Sequence, residues 1–242
     1  MTNFMIATSL ISKLMPTDYV GFTFFVGCMA MMAASAFFFL SLSQFDKKWR
    51  TSVLVSGLIT FIAAVHYFYM RDYWAEFGES PTFFRYVDWT LTVPLMCVEF
   101  FLILKVAGAK QSLMWRMIFL SLVMLVTGYF GEAVDRDNAA TWGLISGIAY
   151  FVIVYDIWLG KAAKLANSAG GNILAAHKIL CWFVLVGWSI YPLGYMLGTD
   201  GWYNGIHGLG LDIDVVYNIA DAINKIGFGL VVYNLAVQSQ KD

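Results

Sequence analysis

Two ionisable residues lie one helical turn apart in an apolar stretch near the C-terminal end of the chain. In YNIADAINKIGFGL, Asp221 and Lys225 are separated by four positions. On an α-helix this spacing places both side chains on one face, so the carboxylate and the amine can interact directly. A charge at bilayer depth needs a partner, a water-filled cavity or a neutral form. The pair is therefore either a structural ion pair or the centre of a functional site.

A second apolar stretch, RYVDWTLTVPLMCVEF, carries a column of polar groups. Thr92 follows Asp88 by one turn, and Arg85 precedes Asp88 by nearly one turn. Glu99 comes eleven residues after Asp88, which is close to three whole turns and about 16 Å of helix rise. Arg85 could instead extend to the membrane interface, and His66, in another apolar stretch, could be a packing residue. Acids stacked three turns apart nevertheless favour stepwise proton transfer over a static scaffold.

The elements that position these residues are predicted to cross a membrane. Hydrophobic residues make up 60% of the 242-residue chain and charged residues 13%, whereas soluble domains are about a quarter charged. The sequence predicts an all-α, seven-transmembrane helix bundle. The predicted spans are 18–44, 51–74, 81–105, 112–132, 139–160, 173–198 and 213–238. They form one domain, 18–238, between an N-terminal tail or weak signal segment at 1–17 and a cytoplasmic tail at 239–242.

The charges between the spans predict the orientation. The loops after the first, third and fifth spans are basic, with FDKKWR in the first of them and Lys161 and Lys164 in the last. The alternate loops are poor in Lys and Arg. The positive-inside rule therefore predicts an extracellular N-terminus and a cytoplasmic C-terminus. The expected location is the cell (inner) membrane, crossed several times.

Other classes of site have little support. Cys28, Cys97 and Cys181 all fall inside predicted spans, which is typical of small buried residues rather than a disulfide framework. The three histidines are scattered and no CxxC or HExxH pattern occurs, so no metal site is predicted. We expect neither an enzyme nor a nucleic-acid-binding protein.

Four segments carry a resemblance to a known family. HYFYMRDYW, SPTFFRYVDWTLTVPL, GWSIYPLGY and YNIADAINKIGFGL resemble the microbial rhodopsins, and within them the proteorhodopsins, from Asp18 onward. The resemblance implies that Lys225 binds all-trans retinal covalently as a protonated Schiff base. It also implies that Asp88 is the counterion and proton acceptor, Asp221 the second counterion and Glu99 the proton donor. The implied activity is a light-driven outward proton pump.

The same resemblance implies roles for other polar residues. Arg85 organises the extracellular side and His66 hydrogen-bonds Asp88. The set Asp88, Thr92 and Glu99 resembles that of proton pumps rather than sodium or chloride pumps. Burial among apolar residues is expected to keep Glu99 protonated at rest, because desolvation disfavours the charged form.

The resemblance also implies a retinal pocket and its spectral type. The nonpolar Met96 resembles the residue of green-absorbing members at a position that tunes colour. Aromatic residues at helical spacing could equally be plain core, and only the resemblance assigns them to the pocket. The expected lining residues are Trp89, Trp188, Tyr191 and Pro192, with Tyr217 near the Schiff base.

Two positions bear on further partners. Gly143 matches a glycine that opens a lateral carotenoid window in xanthorhodopsin-like relatives, although with Gly147 it could simply form a small-residue packing stripe. Phe25 replaces a Trp that in some relatives reaches the neighbouring subunit's histidine, so such coupling through His66 is in doubt. Relatives imply a homo-oligomer, a pentamer or hexamer.

Two functional questions stay open at this level. Glu132 is a candidate proton-release group, with an ordinary interfacial acid as the alternative. A sensory photoreceptor that signals through a partner protein is the alternative function. The acid at Glu99 argues against it, because sensory relatives usually lack a donor carboxyl there.

Overall fold

Long apolar helices account for most of residues 17–240, the part of the chain that the computed structural model describes. Residues 1–16, most of the predicted tail or signal segment, and residues 241–242 lie outside it. Within the described residues no strand occurs, and seven helical segments are long and apolar enough to cross a membrane. They are Tyr19–Gln44, Lys47–Phe77, Thr82–Ala107, Gln111–Val134, Arg136–Ala169, Gly171–Gly198 and Ile213–Gln238. The predicted seven-helix fold is confirmed.

Nine α-helices of residues 17–240 build these segments, because the fifth and sixth segments are each divided in two. Short 3₁₀ turns connect several of the helices, and π-helical turns follow α4 at Phe130–Val134 and α7 at Phe183–Gly187. The helices are α1 Tyr19–Ser41, α2 Lys47–Phe77, α3 Thr82–Leu104, α4 Gln111–Tyr129, α5 Ala139–Trp158, α6 Lys161–Ala169, α7 Gly171–Trp182, α8 Ile190–Gly198 and α9 Ile213–Gln238.

The second span is longer than the sequence predicted. It begins at Lys47 rather than at residue 51 and ends at Phe77 rather than at residue 74. The Asp46 side chain accepts hydrogen bonds from the backbone N–H groups of Lys48 and Trp49, which caps the helix start. Gly78 ends the helix in a left-handed conformation, with φ of 66°. Hydropathy missed these turns because they are charged, while the capping groups fix where the helix starts and stops.

Helix α9 lies against several other helices, which places its polar residues in the interior. It contacts α1, α2, α3, α7 and α8. The side chains between these helices are largely apolar and buried, as with Phe38, Met96 and Phe228. Any ionisable residue on the inward faces of α9 is therefore removed from both lipid and water.

The backbone of the sixth span is irregular, and side chains from other spans donate hydrogen bonds to its free carbonyl groups. In the π-helical turn Phe183–Gly187, the carbonyls of Val184 and Leu185 each accept a hydrogen bond at 3.0 Å from the Tyr150 hydroxyl. The Gly187 carbonyl accepts one at 3.0 Å from the Asn224 amide. In a membrane such freed carbonyls need partners within the protein. Helices α5 and α9 thus hold the turn that precedes Trp188.

Candidate functional site: a buried lysine between two aspartates

Lys225 lies between two carboxylates in the interior of the bundle. Its Nζ is 2.8 Å from Oδ2 of Asp221, one turn away on α9, and 2.5 Å from Oδ2 of Asp88 on α3. Lys225, Asp88 and Asp221 are 3%, 0% and 1% exposed. The direct interaction predicted from the spacing of Asp221 and Lys225 is therefore formed, and packing of α3 against α9 adds Asp88.

The hydrogen bonds of the two aspartates differ. Asp221 accepts bonds from Tyr67 at 3.0 Å, Tyr191 at 2.7 Å and Trp89 Nε1 at 3.2 Å, in addition to the bond from Lys225. Asp88 accepts from Lys225 through Oδ2, while its Oδ1 has no hydrogen-bond partner in the described part of the chain. Donors to a carboxylate favour its ionised form. Asp221 is thus the better stabilised anion, and Asp88 retains an oxygen free to take a proton.

His66 faces Asp88 without the expected hydrogen bond. The distance from its Nδ1 to Oδ1 of Asp88 is 3.9 Å, which exceeds a hydrogen bond. The same nitrogen lies 2.9 Å from the Ile62 carbonyl, one turn earlier on α2. The expectation is corrected on this point, because the backbone of its own helix engages the ring nitrogen.

Arg85 lies in a second polar cluster at the end of the bundle where α3 begins. Its Nη2 donates to Asp214 at 2.7 Å and to Asn218 at 3.0 Å. The guanidinium carbon also lies 5.1 Å from the Phe24 ring centroid and 5.2 Å from that of Tyr217. The residue is only 2% exposed, so it does not extend to the interface.

Glu132 joins this end of the bundle through Tyr86. The Tyr86 hydroxyl donates to Glu132 Oε2 at 2.8 Å. Between the two ends of α3, the Thr92 hydroxyl donates to the Asp88 backbone carbonyl at 2.9 Å rather than to a carboxylate. Thr92 therefore stabilises the helix beside Asp88 without binding the acid itself.

Glu99 lies three turns from Asp88 on α3, and its carboxyl group is completely buried. The Ser56 hydroxyl on α2 donates to Oε1, and Oε2 has no partner among the described residues. Asp88 thus lies at the lysine, and Glu99 lies three turns away, toward the end of the bundle where α3 ends.

An apolar cavity of about 550 Å³ adjoins Lys225. Such a volume lies within the range of about 300–1,000 Å³ that is typical of small-molecule sites. The indole of Trp89 packs edge-on against Tyr191, with centroids 4.9 Å apart. All the predicted pocket residues except Tyr217 line the cavity: Trp89, Met96, Trp188, Tyr191 and Pro192.

Tyr217 lies beside this cavity instead of at the lysine. Its hydroxyl donates to the Tyr191 carbonyl at 3.2 Å, and its ring packs 5.4 Å from Trp89. No hydrogen bond to Lys225 or Asp221 involves its hydroxyl in the described residues. The tyrosine hydroxyls on Asp221 belong to Tyr67 and Tyr191.

Gly143 and Gly147 also line this cavity. A Cβ at Gly143 would come within 2.7 Å of Tyr195 Cε1, whereas a Cβ at Gly147 would meet nothing within 4 Å. Close packing therefore accounts for Gly143 and not for Gly147. The exposed side chains of Leu144 and Ile148 border the cavity here, so it reaches the outer surface of the bundle.

Several site residues were not predicted from the sequence. Asp214 and Asn218 precede Asp221 and Lys225 at helical spacing, so periodicity along α9 could have identified them. Tyr67 and Ser56 come from α2, and no spacing within α2 relates them to acids on α3 or α9. Their roles depend on how the helices pack.

The fold and the site together define the class of the protein: a seven-helix membrane protein with a lysine held between carboxylates at its centre. A family model described as bacteriorhodopsin-like protein matches residues 18–239. A green-light absorbing proteorhodopsin from Gamma-proteobacterium EBAC31A08 is 41% identical over 229 residues, which cover 93% of this chain and 90% of that protein. The blue-light absorbing proteorhodopsin of Gamma-proteobacterium Hot 75m4 is 39% identical, covering 93% and 89%.

Solved structures agree with these relatives. A blue light-absorbing proteorhodopsin from Med12 matches with a TM-score of 0.76 and 40% identity, over 92% of this chain and 100% of that one. Xanthorhodopsin, described as a light-driven ion pump with dual chromophore, matches with a TM-score of 0.79 and 29% identity, over 94% and 97%. The chain belongs to the bacteriorhodopsin-like family. At the level of that family, the relatives support a light-driven proton pump with a retinal chromophore in a prokaryotic cell membrane.

Proposed function

We propose that this protein is an outward light-driven proton pump with all-trans retinal joined to Nζ of Lys225 as a protonated Schiff base. The observation that carries the proposal is the position of Nζ, 2.5 and 2.8 Å from the carboxylates of two different helices. When bound, retinal supplies absorption of visible light and an isomerisation that changes the proton affinity and contacts of the lysine nitrogen.

The residues around Lys225 fit such a group. The lining of the cavity is mostly apolar and includes the buried Lys225. Trp89 and Trp188 provide flat apolar surfaces, and Pro192 and Met96 complete the lining. Met96 is the residue on which we base the proposal of green absorption, since it offers no polar group to the ligand.

Asp88 is the proton acceptor in this proposal. Its Oδ2 lies at Nζ, and its Oδ1 has no competing donor in the described part of the chain. Asp221 remains ionised because Tyr67, Tyr191 and Trp89 donate to it. The proton therefore moves from Nζ to the Asp88 carboxylate, while Asp221 keeps a negative charge beside the lysine.

Glu99 returns a proton to Nζ from the other direction. Because it lies three turns from Asp88 on α3, the donor and the acceptor face opposite ends of the bundle. The basic residues Lys47 and Lys48 at the start of α2 support a cytoplasmic location for the Glu99 end. Arg85 and Asp214 then lie on the extracellular side, and the net movement of protons is outward.

Light-driven acidification tests this proposal. Cells that contain the retinal-loaded protein are illuminated in unbuffered medium, and the external pH is recorded with and without a protonophore. Acidification that the protonophore abolishes supports outward pumping. Alkalinisation of the medium would reverse the proposed orientation, and no pH change would favour the alternative, a sensory photoreceptor that acts through a partner.

A carotenoid antenna is a second, separate proposal. It is supported by the opening of the cavity between Leu144 and Ile148 and by the free space at Gly147. Gly147→Trp is the cleaner test, because a side chain at Gly143 would also displace Tyr195. We expect a hydroxylated carotenoid to give structured blue absorption and energy transfer to retinal in the wild type and not in Gly147→Trp. Equal binding by both proteins would reject the window.

We also propose a homo-oligomer, a pentamer or hexamer, within the bilayer. Chemical cross-linking in native membranes, followed by gel electrophoresis, tests this assembly. A ladder that stops at five or six subunits supports it, and a protein that stays monomeric under the same cross-linking contradicts it.

A further inference from the structure

Two of the buried polar atoms that lack a hydrogen-bond partner in the described part of the chain belong to α2 and α3 at the proposed cytoplasmic end. They are Oγ of Ser52 and Oε2 of Glu99. Both residues are almost completely buried. Buried polar groups in native proteins nearly always have a protein or water partner. Helices α2 and α3 pack against each other, so two such atoms on these helices point to a shared hydrogen-bond partner, such as a water.

The position of Ser52 on α2 relates it to Glu99. Ser52, Ser56 and Thr60 recur at intervals of four residues, and all three are buried. This spacing puts their hydroxyls on one face of the helix. The Ser56 hydroxyl donates to Glu99 Oε1 and lies 3.3 Å from the Ser52 carbonyl. Ser52 is thus one turn beyond the contact with Glu99, toward the start of α2 at Lys47.

The separation suits a short proton path. Side chains one turn apart on a helix lie about 5–6 Å from each other. This spacing applies to Ser52 and Ser56, and Ser56 is bonded directly to Glu99. A single water beside Ser56 would join Ser52 Oγ to Glu99 Oε2 and satisfy both unpartnered oxygens. The buried apolar residues Trp49, Val53 and Ile103 also lie on this side of Glu99.

We propose that Ser52 relays protons from the cytoplasm to Glu99. The proposal rests on the assignment of Glu99 as proton donor. After Glu99 has given its proton to Lys225, the Ser52 hydroxyl passes its proton through the bridging water to Oε2 of Glu99. In the same step Ser52 accepts a proton that hydronium supplies from the cytoplasmic solution. Its hydroxyl is therefore unchanged at the end of each cycle, and one cytoplasmic proton has been taken up.

Other buried polar groups on this side of the bundle fit the role less well. The hydroxyls of Ser41 and Ser121 donate to carbonyls of their own helices, at 2.9 and 2.8 Å. His177 on α7 also has an unpartnered Nδ1. Its ring packs edge-on against Phe100, with centroids 5.6 Å apart, whereas the Glu99 carboxyl is bonded to α2. His177 is therefore the competing route that the experiment must exclude.

Ser52→Ala, Ser52→Thr and the control Ser41→Ala test the relay in the retinal-loaded protein. Proton uptake and the deprotonation of Lys225 Nζ are followed after a flash, with a pH-sensitive dye and by visible absorption. We expect Ser52→Ala to slow uptake about 10-fold to 100-fold, at or below the bottom of the roughly 10²–10⁴-fold range for a lost general acid or base, because water can partly replace a relay hydroxyl. Deprotonation of Nζ should keep its rate, and Ser52→Thr and Ser41→Ala should resemble the wild type.

A second measurement needs no illumination. The carbon-13 chemical shift of the Glu99 side-chain carboxyl reports its hydrogen bonds, and Glu99→Gln identifies the signal. The signal should move in Ser52→Ala and stay in place in Ser41→Ala. If Ser52→Ala does not fold, Ser52→Val can be compared with Ser52→Thr, since these two side chains have nearly the same shape and differ by the hydroxyl.

Three outcomes would overturn the relay, and one of them also concerns the donor. In the first outcome, Ser52→Ala takes up protons at the wild-type rate and leaves the Glu99 carbon-13 signal unmoved, while Glu99→Gln recovers slowly. This result would reject Ser52 as the relay and keep Glu99 as the proton donor. In the second outcome, proton uptake is slow in His177→Phe and normal in Ser52→Ala. This result would place the proton path to Glu99 along α7. Wild-type recovery in both Ser52→Ala and Glu99→Gln would reject the donor assignment together with the relay.

Discussion

The unequal surroundings of the two aspartates predict unequal costs for removing their charges. Asp221→Asn and Asp88→Asn each delete one carboxylate beside Lys225, so the loss of that ion pair is common to both variants. Asp221 also accepts hydrogen bonds from Tyr67, Tyr191 and Trp89. An asparagine has one acceptor oxygen, so it cannot serve donors on both sides of the former carboxylate.

The magnitude follows from these three bonds. A hydrogen bond to a charged group contributes about 1 kcal/mol more than one between neutral groups, so Asp221→Asn should lose about 3 kcal/mol more than Asp88→Asn. Asp88 has no such donors in the described part of the chain besides Lys225. Asp88→Asn is therefore the matched control for Asp221→Asn, because both variants remove one buried carboxylate that contacts Lys225.

The assay is equilibrium unfolding of the retinal-free protein in mixed micelles, driven by SDS and followed by circular dichroism. The free energies of unfolding of the wild type and both variants are compared. Tyr67→Phe, which removes one of the three donors, should account for about a third of the difference. Equal destabilisation by Asp88→Asn and Asp221→Asn would refute the argument that donors on Asp221 distinguish the two acids.

Three further predictions concern the retinal-loaded protein. Asp88→Asn should give a red-shifted pigment without transport, because the acceptor is lost while the pocket is intact; pumping by this variant in the acidification assay would contradict the role. Glu99→Gln should keep the colour and the deprotonation of Nζ but reprotonate Nζ at least about 10-fold more slowly, given the 10²–10⁴-fold typical of general acids. Flash spectroscopy measures this, and recovery at the wild-type rate would remove Glu99 as donor. His66→Asn should change the midpoint of the acid-induced red shift by less than about one pH unit, since a direct bond to a charged group would be worth more than the 1.36 kcal/mol of one unit. A larger change in a visible pH titration would indicate a closer contact of His66 with Asp88 than the 3.9 Å observed.

The sequence alone was sufficient for the features that depend on local periodicity. Seven apolar stretches predicted seven spans, and the last predicted span, 213–238, coincides with α9. The spacing of Asp221 and Lys225 predicted their contact because residues four apart share a helix face. The three-turn separation of Asp88 and Glu99 followed from the same geometry.

Contacts between helices were decided by the tertiary structure. Asp88 and Lys225 are 137 positions apart, and Tyr67 and Asp221 are 154 apart, so no local pattern relates them. The family resemblance implied the pairing of Asp88 with Lys225, but it also implied a bond from His66 to Asp88 that the structure does not form.

The physical reason is that hydropathy and helical periodicity specify which face of a helix is buried. They do not specify which side chains of the neighbouring helices contact that face. That depends on the packing of neighbouring helices and on competition for each hydrogen-bonding group. The Ile62 carbonyl engages the ring nitrogen of His66, while Tyr67, the next residue on α2, reaches Asp221. The sequence therefore determined the spans and the depth of the acids, and packing determined which acid is surrounded by donors and which is free to accept a proton.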